Sequence, residues 1–189
     1  MEIQLLIAEI KDGLTKNFAD LDSYFLINDE QIEYQPEIGG WSIHQILEHV
    51  GLTNHFLLIL IEKGARRALN VAEKEGLDDA LKDYSFHRTQ LEEVGQHKSF
   101  QWIRPEHMEP KGEKSLPEIR EQLQDQLAQC QAVLHRLPNG EGILAKTTMT
   151  VNDLGKLDVY EYIYFLSQHA KRHVQQIEKV ELEFKKVNN

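Results

Sequence analysis

Nine histidines are spread through this 189-residue chain, and two of them, in Gln168-His169-Ala170-Lys171-Arg172-His173, stand four apart. On a helix that spacing puts both imidazoles on one face, one turn above the other, which is a chelating pair for a metal ion. A pair needs a partner from another element. His49 qualifies: it shares a helical face with Ile46, Phe56 and Leu60, whereas His44 and His55 are rotated away from that face. Three neutral imidazoles suit a divalent transition metal, zinc or nickel, and leave one coordination position for water or substrate. Spacing alone leaves a second reading open, since amphipathic helices also keep hydrogen-bonded histidines in their cores and only the fold can join His49 to His169. Gln176, three residues after His173, can bond a ligand histidine or a substrate, or be an ordinary half-buried glutamine. Tyr162 reads as core or as a proton donor. Glu48 is more than a quarter-turn from His49 and reads as solvent-facing.

Four amphipathic stretches must position these groups. Ile3, Ile7, Ile10, Leu14, Phe18, Leu21 and Phe25 recur at spacings of three and four and predict a first helix over about 2–26. Asn28 to Gly40 contains Asp29, Pro36, Gly39 and Gly40 without periodicity and reads as a loop. Ser42 with Gln45 three residues on forms a capping box behind Trp41, which can staple onto Ile46, and the second helix runs from there to about Glu75. Ser115-Leu116-Pro117-Glu118 opens the third, to about Leu137, before Pro138-Asn139-Gly140 stops it. Asp158 with Glu161 opens the fourth, to about Phe184, with Tyr162, Leu166, His169, His173, Ile177 and Val180 inward. Leu144 to Val151 reads as a short extended segment. These signals predict an all-α fold, a four-helix bundle forming a single domain over 1–189. The span Gly76 to Lys114 is longer than a hairpin needs, which predicts a long crossover between the second and third helices and a topology other than up-down-up-down. That span has room for a short helix within 77–94 and holds His87, His97, His107 and Trp102.

Composition narrows the function. Lys and Arg number 21 against 31 Asp and Glu, a formal net charge of -10, and such a surface repels a phosphate backbone, so nucleic acid is not an expected partner. Cys130 is the only cysteine. It excludes a disulfide scaffold, suggests a reducing cytoplasm, and falls in the apolar stripe of the third helix as a small core residue. Met1 leads straight into a polar-apolar periodic segment, so no signal peptide is expected. The longest apolar run, Phe56 to Ile61, is too short to span a membrane.

Gly40-Trp41-Ser42-Ile43-His44-Gln45-Ile46-Leu47-Glu48-His49-Val50 resembles the first signature of the DinB/YfiT-like superfamily, in which a tryptophan-serine start precedes a ligand histidine about two turns into the helix. Leu154-Gly155-Lys156-Leu157, Tyr160-Glu161-Tyr162 and His169 to Ile177 are similar to its last signature, H-x-x-x-H-x-x-Q-I. The resemblance covers essentially the whole chain. It implies a four-helix bundle with a three-histidine divalent-metal site on His49, His169 and His173, and a homodimer. Trp41, Tyr162 and Gln176 are candidates for contacts to the ligands or to substrate. Many relatives carry His-Pro or Asn-Pro before the last Leu-Gly, and Val151-Asn152-Asp153 stands there instead, a departure at the rim loop. Members with assigned activities are similar to metal-dependent thiol transferases and isomerases, and others to metal-dependent hydrolases. The expectation is a small-molecule enzyme that transfers a low-molecular-weight thiol cosubstrate to an electrophile, because no protein nucleophile stands beside the three imidazoles. The alternatives are metal-assisted hydrolysis of a small ester or amide, with His87, His97 or His107 as base, and a non-catalytic metal-binding bundle.

Overall fold

The computed structural model describes residues 2–37, 39–97 and 106–188. Trp102 and the side chain of His107 lie outside the described residues. Among the described residues, seven α-helices and a two-stranded sheet are formed: α1 (Ile3–Ser23), α2 (Asp29–Glu33), α3 (Ile43–Glu75), α4 (Asp78–Lys82), α5 (Arg88–Val94), α6 (Leu116–Arg136), β1 (Thr147–Met149), β2 (Gly155–Leu157) and α7 (Val159–Val187). α1, α3, α6 and α7 are the four helices expected from periodicity. Their starts follow the capping chemistry. The Gln45 backbone N–H donates to Ser42 Oγ while Gln45 Oε1 accepts from the Ser42 N–H, and Glu118 and Glu161 accept from the N–H groups of Ser115 and Asp158 in the same way.

Two short features go beyond expectation. Within 28–40, α2 forms because Asn28 accepts from the Gln31 N–H and two acidic residues sit in the first turn; a single turn is too brief to show periodicity. The extended segment at Thr147–Met149 is a strand because Gly155–Leu157 pairs with it antiparallel. Asn152 and Asp153 take positive φ in the tight connection between the two strands.

Hydrogen bonds between helices fix the bundle's order. Asn17 donates to Ser167, and Tyr24, directly after α1, lies close enough to Glu178 and Glu181 to feel their charge, so α1 and α7 run parallel. Arg120 bonds Asp22 while Gln131 bonds Thr15, so α6 runs antiparallel to α1. Gln126 meets the Gly51 carbonyl and Arg136 meets Glu62, so α3 and α6 are parallel. His49 faces His169 and Gly64 faces Val159, so α3 and α7 are antiparallel. The order is up, down, down, up, with α1 packed on α6 and α7, and α3 on the same two. Two consecutive long helices pointing the same way require the chain to travel back along the bundle between them, which is why the crossover exists. Within it α4 and α5 are both formed, two short helices where one was expected.

The core is one cluster, running through Leu6, Ile10, Leu14, Ile46, Val50, Ile61, Leu123, Cys130, Tyr160, Phe165 and Leu166. Phe56 and Leu60, expected on the inner face of α3, are only half-buried; Leu57, Leu58 and Ile61 turn inward instead. Cys130 is fully buried, and desolvation pushes its thiol up to about 12. No helix among the described residues is long and apolar enough to cross a membrane.

Candidate metal centre

The Ser42 cap starts α3 so that His49 falls on its seventh residue, on the side turned towards α7. The Asp158 cap starts α7 so that His169 and His173 stand in its middle turns. The antiparallel contact then closes the distance: the ring centroids of His169 and His173 are 4.4 Å apart, those of His49 and His173 4.9 Å, and those of His49 and His169 5.4 Å. One nitrogen from each ring can be chosen so that all lie within 4.8 Å of one another. The three residues are 2 %, 1 % and 4 % exposed for His49, His169 and His173.

The nitrogens facing inward are determined by the bonds facing outward. His49 Nδ1 lies 2.7 Å from the Met108 carbonyl oxygen, which can only accept, so Nδ1 carries the hydrogen and donates it. His173 Nδ1 donates in the same sense to Gln176 Oε1 at 2.9 Å. In neutral imidazoles this leaves Nε2 of each ring as a lone pair. His173 Nε2 and His169 Nε2 are 3.0 Å apart. Burial first, then the facing His49 and the Arg172 guanidinium, holds His169 well below the ordinary histidine value. His173 is lowered by burial, by His169 and by His49. Rings kept neutral, with Nδ1 of His49 and of His173 donating to oxygen and Nε2 of both turned towards the cluster, form a donor set that could hold a divalent metal ion. The residues present therefore fit the divalent ion that the sequence implies.

Around the cluster, the Trp41 ring lies tilted against His49 at 4.7 Å between centroids, and Phe165 lies parallel to His169 at 6.1 Å. Gln176 is brought to the site. Tyr162 is not: it precedes His169 by two turns, and its hydroxyl donates to the Thr148 carbonyl at 3.0 Å. His44 bonds Glu33 and the Lys114 carbonyl, and His55 is exposed, so both face away as expected. His87 is held by Glu161, two turns before His169 on α7.

Glu48 corrects the sequence reading. It is 5 % exposed, and its Oε2 accepts the Gly112 N–H at 2.6 Å. Its helical angle is as expected, but the return leg of the crossover lies over that side of α3. The outgoing leg is fastened too, with Arg172 donating to the Gln96 carbonyl and the His97 N–H donating to Gln175 Oε1. Sequence reasoning missed Arg172, Glu48 and the Met108 carbonyl. For the first two the only signal was a charged residue directly beside a candidate ligand; a backbone carbonyl has no sequence signal at all.

A second cluster of ionisable groups sits at the start of α7. Asp158 and Glu161 are both fully buried. Asp158 Oδ1 accepts from the N–H groups of Tyr160 and Glu161. Glu161 Oε1 receives both the backbone N–H of His87, at 2.9 Å, and its Nδ1, at 2.6 Å. Beside it, a cavity of about 290 Å³ is lined by Tyr84, Ser85, His87 and Lys146.

Comparison with known proteins gives one result. The family model described as DinB superfamily matches residues 14–177. Searches of curated proteins and of solved structures gave no match.

Proposed function

The chain belongs to the DinB superfamily, and from that footing we propose that it binds one divalent transition metal ion through His49, His169 and His173 and transfers a low-molecular-weight thiol to a small electrophile. The observation carrying this reading is the set of three buried imidazoles, two of them with Nδ1–H committed to oxygen acceptors and Nε2 left facing the cluster. When bound, zinc or nickel would supply Lewis acidity and favour the thiolate form of a thiol near neutral pH.

The chain's own residues do the rest. The Met108 carbonyl and Gln176 fix ring tautomer and orientation, which raises the basicity of the donors. Trp41 and Phe165 wall the cluster with apolar surface and exclude water. The Arg172 charge disfavours protonation of His169 and His173, so the rings remain donors and do not become imidazolium.

The test is metal analysis of untagged protein after reconstitution with zinc, nickel or manganese, followed by conjugation of a thiol to a chlorinated or epoxide substrate. One equivalent of metal and thiol-dependent turnover are expected, both lost in His173→Ala. Unchanged turnover in that variant overturns the reading.

Hydrolysis is the second reading, and one observation favours it. The His97 backbone N–H bonds Gln175, so the outgoing leg holds a further histidine alongside α7, and hydrolysis would need a base of that kind. Thiol-independent cleavage of a small ester, lost in His97→Ala while metal is retained, would establish it.

A further inference from the structure

The return leg of the crossover is fastened to α3 at three points. His44 Nε2 meets the Lys114 carbonyl at 2.7 Å, Glu48 Oε2 accepts the Gly112 N–H at 2.6 Å, and His49 Nδ1 donates to the Met108 carbonyl at 2.7 Å. Chain order along the leg is opposite to that along α3, so the leg runs antiparallel to the helix. The last bond is the one that sets the His49 tautomer. It depends on a backbone carbonyl, which has no side chain to hold it and must be placed by neighbouring fasteners. Glu48 is the nearer of the two and the better buried.

We propose that Glu48 is a positioning residue for His49: by holding the Gly112 N–H it fixes the Met108 carbonyl against Nδ1 and so keeps the Nε2 lone pair turned towards the cluster. The proposal rests on the metal-binding reading for its purpose but not for its geometry. Gly112 supports it. Its φ is +69°, a conformation that side-chain-bearing residues adopt only with strain, and a Cβ there would meet nothing within 4 Å. The glycine is therefore required by the backbone angle that presents its N–H to Glu48, and not by crowding.

The experiment reads His49 in metal-free protein by long-range proton–nitrogen NMR, and then reads affinity by titration with nickel(II). Wild type should show Nδ1 protonated, Nε2 bare and a slowly exchanging Nδ1–H. Glu48→Ala should lose the slow exchange, populate the other tautomer and bind nickel about 10- to 100-fold more weakly, the range for losing an outer partner of a metal ligand. Glu48→Gln, whose amide oxygen can still accept from Gly112, should stay near wild type. Gly112→Ala should follow Glu48→Ala. Gly76→Ala, with a φ of +78° and equally open space at the far end of α3, should share the strain and leave His49 unchanged.

A wild-type His49 spectrum in both Glu48→Ala and Gly112→Ala overturns the proposal, as does a Gln variant that behaves like Ala. If Glu48→Ala does not fold, Gly112→Ala against Gly76→Ala decides. If the tautomer shifts as expected but wild type binds no nickel, the positioning role stands and the metal reading fails; nickel binding with an unmoved tautomer gives the reverse.

Discussion

Helix α7 carries two buried ionisable clusters about two turns apart, and burial acts on them in opposite directions. At its start, desolvation and the neighbouring Glu161 push Asp158 up to about 7. In its middle, desolvation and facing imidazoles hold His169 and His173 well below their ordinary value. The rule is the same in both places, since a low-dielectric interior disfavours whichever form is charged. The chemistry that results differs. A neutral carboxyl retains a proton, and here it also caps a helix. A neutral imidazole has lost one, and it presents a lone pair. One cluster thus leans on backbone N–H groups and His87, while the other sets three imidazoles face to face, a group that could hold a cation.

The sharpest way to break this contrast is at the histidines. His49→Ala, His169→Ala and His173→Ala should each abolish stoichiometric metal, whereas His87→Ala should leave it intact; elemental analysis of reconstituted proteins reads this. Next, saturating zinc or nickel should stabilise the wild type by about 4 kcal/mol at a thousand times the dissociation constant, seen as a rise in Tm that a chelator reverses and that His49→Ala lacks. Metal binding with a Tm rise but no turnover of thiol, electrophile or ester would leave the non-catalytic bundle.

The carboxyl end should respond to pH and not to metal. With its folded value raised above the unfolded one, Asp158 keeps in the native state a proton that the unfolded chain gives up between about pH 4 and 7. The native state therefore binds more protons, and this contribution to stability falls as pH rises through that window and is level above it. Asp158→Asn, which can still cap α7, should be more stable than wild type at pH 8 by on the order of 2 kcal/mol, and close to wild type at pH 4, in denaturant titrations. The smallest effect expected is that of His87→Ala. It removes one partner of Glu161 at a half-exposed site, which should lower stability by about 1 kcal/mol and speed amide exchange in the 84–88 stretch.

What the sequence made legible follows the range of each interaction. The capping boxes at Ser42, Ser115 and Asp158 and the stripes behind them act within a turn or two, and they place all four bundle helices. The spacing of His169 and His173 is equally local. The resemblance to the DinB superfamily is borne out by the family match, and the fold sets the His49 ring beside those of His169 and His173. Glu48 was misjudged because its burial is decided by Gly112, which periodicity on α3 cannot register. The bond from His87 to Glu161 was hidden for the same reason: Glu161 was legible as half of a capping box, and its other oxygen is claimed from the crossover. Tyr162 lies on the inner stripe as expected, yet its hydroxyl goes to a strand carbonyl whose register only the fold sets.

The up-down-down-up order also bears on how the chain acquires its structure. α1 packs chiefly on α6 and α7 and not on α3, its neighbour in the chain, so no pair of consecutive long helices at the start can condense as a hairpin. Contacts that are remote in sequence raise contact order, and this bundle should fold more slowly than one in which each helix docks on the one before it. During synthesis α1 has to wait, its apolar stripe uncovered, until α6 emerges, and the pairing of α3 with α7 comes later still. The histidine cluster is then among the last features to assemble, and metal capture by all three residues would mark a chain that has finished folding.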